Sequence, residues 1–193
     1  MNRVRRLRRR LLPIGCILYL LAGLGGAQAA ARFVVPGGIA GGDGSNWDLA
    51  FTNIQQAINA SPGEETTLYL KAGFYTNAPA IVVHDHPGLT LLGGYTGSGL
   101  ETGGVTVLTR DPAATNRILF ANSSTLTVER VAFSNGCETL VGAGLLLSNC
   151  TATLTACDWV ENRFPPLHVN QYGGAIYADT CTLTLRDSRL HGN

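Results

Sequence analysis

His84-Asp85-His86 is the one place in this chain where metal-binding side chains crowd together. Two imidazoles beside a carboxylate suit Zn²⁺, and carboxylates also suit Ca²⁺. A strand through the segment would put His84 and His86 on one face. Pro87-Gly88 follows at once, however, and reads as a turn between strands. Spacing names no third or fourth ligand, so no cofactor is required; Ca²⁺ and Zn²⁺ are the ions these residues would take. Cys150 and Cys181 form the second candidate, because they fall in the same column of an internal repeat. On adjacent parallel strands their α-carbons would lie about 5 Å apart, inside the disulfide range. A buried ladder of reduced thiols fits that spacing equally well.

No residue stands out as catalytic. A lyase acting on uronate chains needs carboxylates that gather Ca²⁺ and a base that abstracts a proton; a hydrolase needs carboxylates facing one groove. Aligned through the repeat, Asp158 falls with Arg189, Asp187 with Ala156 and Asp179 with Ser148. No column carries two acids, which reads as solvated faces with scattered charge.

The repeat itself says what must position these residues. GAGLLLSNCTATLTACDWVEN (Gly142–Asn162) lies over GGAIYADTCTLTLRDSRLHGN (Gly173–Asn193) from end to end, at a constant offset and without a gap. Gly142 and Gly173, Leu154 and Leu185, and Asn162 and Asn193 share structural columns. A weaker copy, Arg117–Gly136, aligns Leu126-Thr127-Val128 with Ala152-Thr153-Leu154, and Phe133 with Trp159 and Leu190. Gly88–Tyr95 and Thr67–Tyr75 read as degenerate copies. A fixed period of this size points to stacked units, and alternation of apolar and polar residues makes those units strands. Stacking would place Leu154 on Leu185 inside, Asn162 on Asn193 at a turn, and the two glycines at a corner of unusual backbone angle.

Residues 1–29 read as a signal peptide. Six arginines precede an apolar run, Leu11–Leu24, and Ala27-Gln28-Ala29 offers a small-x-small site with cleavage between Ala29 and Ala30. Of the 14 basic residues, those six leave with the signal; the remaining eight face 13 acidic ones, so the exported chain is acidic. With Lys71 its single lysine, it has no basic stripe for nucleic acid or anionic lipid.

Residues 30–63 read as a glycine-rich exposed leader followed by a short amphipathic helix. Trp47, Phe51, Ile54, Ala57 and Ile58 fall at helical spacing, with Ser45 or Asn46 as cap and Ser61-Pro62-Gly63 as stop. Such a helix would cover the open first rung of a solenoid. Residues 64–193 are the rungs. Strands are expected at 67–71, 80–84, 89–92, 105–109, 117–121, 126–131, 145–147, 152–156, 176–178 and 182–186. No capping element follows Asn193, so the rungs are expected to continue or to associate end to end.

GGAIY (Gly173–Tyr177) followed by TLTLRDSRLHGN resembles the GGAI and FxxN repeats of polymorphic outer-membrane proteins. The opening DGSNWDLAFTNIQQAINA, with TLYLKAGFYTN and LTLLGGYTG, resembles the start of pectate-lyase-like bacterial surface proteins. Trp159 and Leu190 replace the Phe of FxxN. The resemblance implies an all-β fold, a right-handed parallel β-helix with an N-terminal capping helix, secreted or held at the cell surface or outer membrane. The function expected first is a non-catalytic surface, adhesion or carbohydrate-contacting module. Its partner would be a polysaccharide or host-surface glycan; membrane contact would come only through the signal peptide or a missing C-terminal anchor. A polysaccharide lyase or glycoside hydrolase, and an autotransporter-type passenger fragment, are the alternatives, since fold alone does not choose among them.

Overall fold

The computed structural model describes residues 29–37, 41–166 and 171–193. The expected signal peptide therefore falls outside the described residues up to position 28, and Ala29 and Ala30 open the described chain. The fold is mainly β, with every strand paired in parallel. One sheet holds β1 (Ala30–Val34), β2 (Thr66–Lys71), β5 (Leu89–Tyr95), β8 (Thr125–Glu129), β11 (Thr151–Thr155) and β14 (Thr182–Arg186), in that spatial order. A second holds β3 (Gly73–Asn77), β6 (Thr106–Arg110), β9 (Val131–Ser134), β12 (Asp158–Val160) and β15 (Arg189–His191). The third holds β4 (Ile81–His84), β7 (Leu119–Asn122), β10 (Leu145–Ser148) and β13 (Ile176–Asp179). From β2 onward the chain makes successive circuits, stepping through the sheets in a recurrent order and returning to the first.

Alternation explains the burial. In β8, Leu126 and Val128 are buried while Thr125, Thr127 and Glu129 face outward. Register carries this pattern from strand to strand, so inward residues meet only inward residues. Leu68, Leu91, Val128, Leu154 and Leu185 form one inward file of the first sheet. Tyr75, Leu108, Phe133, Trp159 and Leu190 form that of the second. Ile81, Leu119, Leu145 and Ile176 form that of the third. The rings of Phe133 and Trp159 stack with centroids 5.1 Å apart and planes 1° from parallel. The repeat columns fall in this register: Leu154 pairs with Leu185, and Leu145 with Ile176, each one repeat apart.

Corners close the circuits by a common device. Asp85, Ser123, Asn149 and Thr180, between the third sheet and the first, have φ of 48–55°. Arg130, Ala156 and Asp187 repeat this conformation between the first and second sheets, with φ of 48–55°. A left-handed corner turns an amide out of the strand ladder, and a buried amide needs an acceptor. The acceptor comes from the following circuit. The amide of His86 donates to Ser124 Oγ at 3.0 Å, that of Cys150 to Cys181 Sγ at 3.2 Å, and that of Cys157 to Ser188 Oγ at 3.1 Å. After the second sheet, Gly136 donates to Asn162 Oδ1 at 2.9 Å and Asn162 to Asn193 Oδ1 at 3.0 Å. Gly142 and Gly173 take φ of 62° and 70°, and a Cβ there would press on the carbonyl oxygens of Leu145 and Ile176.

Three sequence expectations need correction. Ala30–Val34 is no exposed leader: it forms β1, pairs with β2 and buries Val34. The helix is shorter than expected. α1 spans Ile54–Asn59, capped by Asn53, whose side chain accepts from the amides of Gln55 and Gln56. Trp47 and Phe51 lie before it, because residues 44 and 51 pair with Phe33 along the free edge of β1 instead. Five strands, β1, β3, β9, β12 and β15, fall outside the expected set. β12 and β15 hold three residues each, too few for alternation to show.

The helix buries Ile54, Ala57 and Ile58 and contacts β1, β2 and β4. Gln55 does for β4 what a neighbouring strand would do. Its Oε1 accepts from the Val82 amide at 2.7 Å, and its Nε2 donates to the Val82 carbonyl at 3.0 Å. At Val82 the edge of the third sheet is thereby satisfied by one side chain.

Asn162 joins three circuits. It is fully buried, and its Nδ2 also donates to the Phe133 carbonyl at 3.0 Å. Asn162→Ala leaves a buried amide without its acceptor, which should cost about 2–4 kcal/mol. The denaturation midpoint should fall with no change in its denaturant dependence; a loss below about 0.5 kcal/mol would show that the corner bonds do not hold the circuits together.

Candidate functional site

The His84-Asp85-His86 segment is a corner between the third sheet and the first. Among the described residues, no three His, Cys, Asp or Glu side chains are placed to hold an ion. His84 ends β4 exposed, with its ring edge-on to Phe120 at 5.2 Å. Asp85 takes the left-handed corner. His86 is 4 % exposed. Its Nδ1 accepts from the Gly88 amide at 3.3 Å, so the neutral ring carries its proton on Nε2, which is buried without a partner. Burial holds the His86 imidazole below its ordinary value of 6.5.

The Cys150–Cys181 disulfide is likewise absent. The two residues share a column, but both sulfurs are free thiols, as are Cys137 and Cys157. Each thiol bonds back to the carbonyl two residues earlier, Cys150 to Ser148 at 3.2 Å and Cys181 to Asp179 at 3.1 Å. Ser124 does the same with Asn122 at 2.7 Å. The cysteines occupy a serine's place in the corner. Burial raises the Cys150 thiol and pushes that of Cys157 up to about 11, the opposite of what a nucleophile needs.

Among the described residues four carboxylates, those of Glu129, Glu138, Asp158 and Glu161, lie against basic side chains. Asp158 meets Arg189 and His191, each at 3.0 Å, and Glu138 meets Arg117 at 2.8 Å. Glu129 pairs with its neighbour Arg130. Asp158 and Arg189 are register partners, as their shared repeat column requires.

An aromatic cleft on the outer face of the first sheet is the site that sequence reasoning missed. Phe33 and Tyr69 are register partners on β1 and β2, and their rings stack at 5.2 Å and 19°. A bulge between Tyr69 and Lys71 shifts the pairing of β2 with β5, bringing Tyr95 edge-on to Tyr69 at 5.2 Å. Gly93-Gly94 makes this possible: a Cβ on Gly93 would fall 2.2 Å from the Arg130 carbonyl oxygen, and Gly94 has φ 84°.

Trp47 completes the group from the loop before α1. Its ring meets Phe33 edge-on at 4.7 Å, and its Nε1 donates to the Gly99 carbonyl at 2.7 Å. Asn46 folds that loop by accepting from the amides of Asp48 and Leu49, both at 2.9 Å. Between the two loops and the sheet lies a cleft of about 360 Å³, lined by Ala31, Phe33, Asn46, Trp47, Tyr69 and Leu100, among others. Its lining carries no charged side chain. Leu100 on its rim is 61 % exposed. Aromatic faces, one amide and a few hydroxyls suit a neutral ligand with both an apolar face and polar edges.

The cleft gathers residues from four separate stretches, and the reading of Trp47 as a helix-face residue hid it. The available signal was Tyr69, an aromatic at the outward position between Leu68 and Leu70. Compared with models of protein families, with curated proteins and with solved structures, the chain matches none.

The His86 geometry predicts a pH effect. A buried imidazole that resists protonation makes the folded state bind fewer protons than the unfolded one, so stability is lost as pH falls through and below about 6.5. Urea midpoints measured from pH 7.5 to 5 should decline in the wild type and decline less in His86→Gln. Equal slopes would mean that His86 titrates as freely in the folded state as in the unfolded one.

Proposed function

We propose that this chain is a right-handed parallel β-helix, exported through its arginine-rich N-terminal segment, whose wall is a non-catalytic, glycan-contacting surface. The recurrent order of the three sheets and the register between successive repeats support the solenoid. The arginine-rich start, the apolar run and Ala27-Gln28-Ala29 support export.

One observation carries the glycan reading: the uncharged aromatic cleft beside Trp47. A pyranose ring presents an apolar face of C–H groups and a rim of hydroxyls. Trp and Tyr rings offer matching apolar faces, and the Tyr69 hydroxyl, with the Asn46 amide nitrogen and Ser45, can reach the rim. The volume is at the lower end of the range for ligand pockets and suits one or two sugar units. The rings are held before any ligand arrives, by mutual stacking and by the Trp47–Gly99 bond, so little ordering cost falls on binding.

The two tryptophans separate the site from the core. Trp159 is fully buried, so a ligand-induced change in emission reports Trp47. On titration with neutral oligosaccharides, the wild type should show a saturable change. Leu100→Asp, which places a charge on the exposed rim and touches no core residue, should weaken binding at least tenfold with unchanged thermal stability. Trp47→Ala should abolish the signal. Binding that survives both substitutions would remove the cleft from the reading, and a glycan panel with no binder would remove the reading itself.

A further inference from the structure

The cleft does not end at Tyr69. Ala31, which lines it, is the register partner of Thr67, and from Thr67 the outward file of the first sheet runs through Thr90, Thr127, Thr153 and Thr184. These five threonines stand on five consecutive strands. Parallel strands lie about 4.8 Å apart, so the file extends about 19 Å from the mouth of the cleft. A second outward file, two residues earlier along each strand, adds Thr125, Thr151 and Thr182, all exposed. Every side chain in both files is an uncharged hydroxyl donor and acceptor.

We propose that cleft and threonine files form one track, which binds a neutral, unbranched, β-linked polysaccharide lying across the strands. This rests on the glycan-contacting reading of the cleft and extends it to a substrate class and a direction. Two features select the occupant. The repeat of the track matches the length of one residue in an extended β-linked glycan, so successive sugars meet equivalent threonines. The cleft lining and the threonine files offer no cation to neutralise a uronate or sulfate; the charged residues beside them, Glu129 and Arg186, lie in the neighbouring outward file, and Glu129 is paired with Arg130. Stacking in the cleft fixes the end of the chain, and hydroxyl pairs along the files add small, regular increments.

β-branched threonine also favours strands for purely structural reasons, so the test must separate ligand binding from propensity. Valine does this, since it keeps the branched shape and removes only the hydroxyl. The probes are cello-oligosaccharides of two to six units, titrated by calorimetry against the whole chain, with polygalacturonate as the acidic comparator. Affinity should rise about tenfold from the trisaccharide to the hexasaccharide, the equivalent of one or two net hydrogen bonds. Thr127→Val combined with Thr153→Val should erase that gain, leaving trisaccharide affinity and thermal stability unchanged. Trisaccharide binding with no gain on lengthening overturns the track and leaves the cleft standing. A gain that survives the double substitution, or tighter binding of polygalacturonate, also overturns it. If none of the probes binds, the track and its cleft anchor fall together for this class of glycan.

Discussion

The corners are where this fold is decided. A parallel ladder satisfies the backbone along each strand, but a left-handed residue at the bend turns the next amide away from it. The missing acceptor is a short side chain from the following circuit: Ser124, Cys181, Ser188, Asn162 or Asn193. The requirement is narrow. The side chain must be short enough to stay in the corner, must accept, and must be held by a bond of its own: Ser124, Cys181, Ser188 and Asn193 bond back to the carbonyl two residues earlier, and Asn162 to that of Phe133. Serine, cysteine and asparagine meet it, and they are what the columns contain. The cysteines therefore need no redox role: sulfur is a weak acceptor that tolerates burial, and at these positions it substitutes for a hydroxyl.

This arrangement makes each circuit depend on its successor for polar satisfaction as well as for apolar cover. Leu154 rests on Leu185 within the same register step in which the Asn162 amide reaches Asn193. Slipping one strand by a residue would turn its leucines outward and withdraw the corner acceptors together. Two independent penalties thus oppose the same error, which is how such short strands hold an unambiguous register.

That coupling also explains what could be read from the sequence. Columns constrained on both counts repeat visibly, so Gly142 with Gly173, Leu154 with Leu185 and Asn162 with Asn193 could be aligned without coordinates. The strands of the second sheet could not. β12 and β15 contribute one inward residue each, Trp159 and Leu190, and one residue has no period. β1 was hidden by composition, because Ala30–Val34 is followed by a glycine-rich turn and its partner β2 lies far along the chain. The metal and disulfide readings took proximity along a strand or column as their signal; in the structure the His86 imidazole and the Cys150 and Cys181 thiols bond to backbone groups of their own corners.

The aromatic cleft arises where repetition is weakest. In the later circuits, two of the outward files of the first sheet are threonine, aligned by an unbroken register. Between β2 and β5 the register breaks, and the break rests on Gly93-Gly94, which alone lets the bulged strand pass the Arg130 carbonyl. Only then can Tyr95 present its edge to Tyr69 and lie tilted against Trp47 at 6.0 Å. The two loops that carry Trp47 and Gly99 are bound to each other by a single strong hydrogen bond, so the walls of the cleft are positioned by the irregularity itself. A regular stack offers a ligand a uniform surface. One bulge, two glycines and a tryptophan turn the start of that surface into an uncharged aromatic cleft.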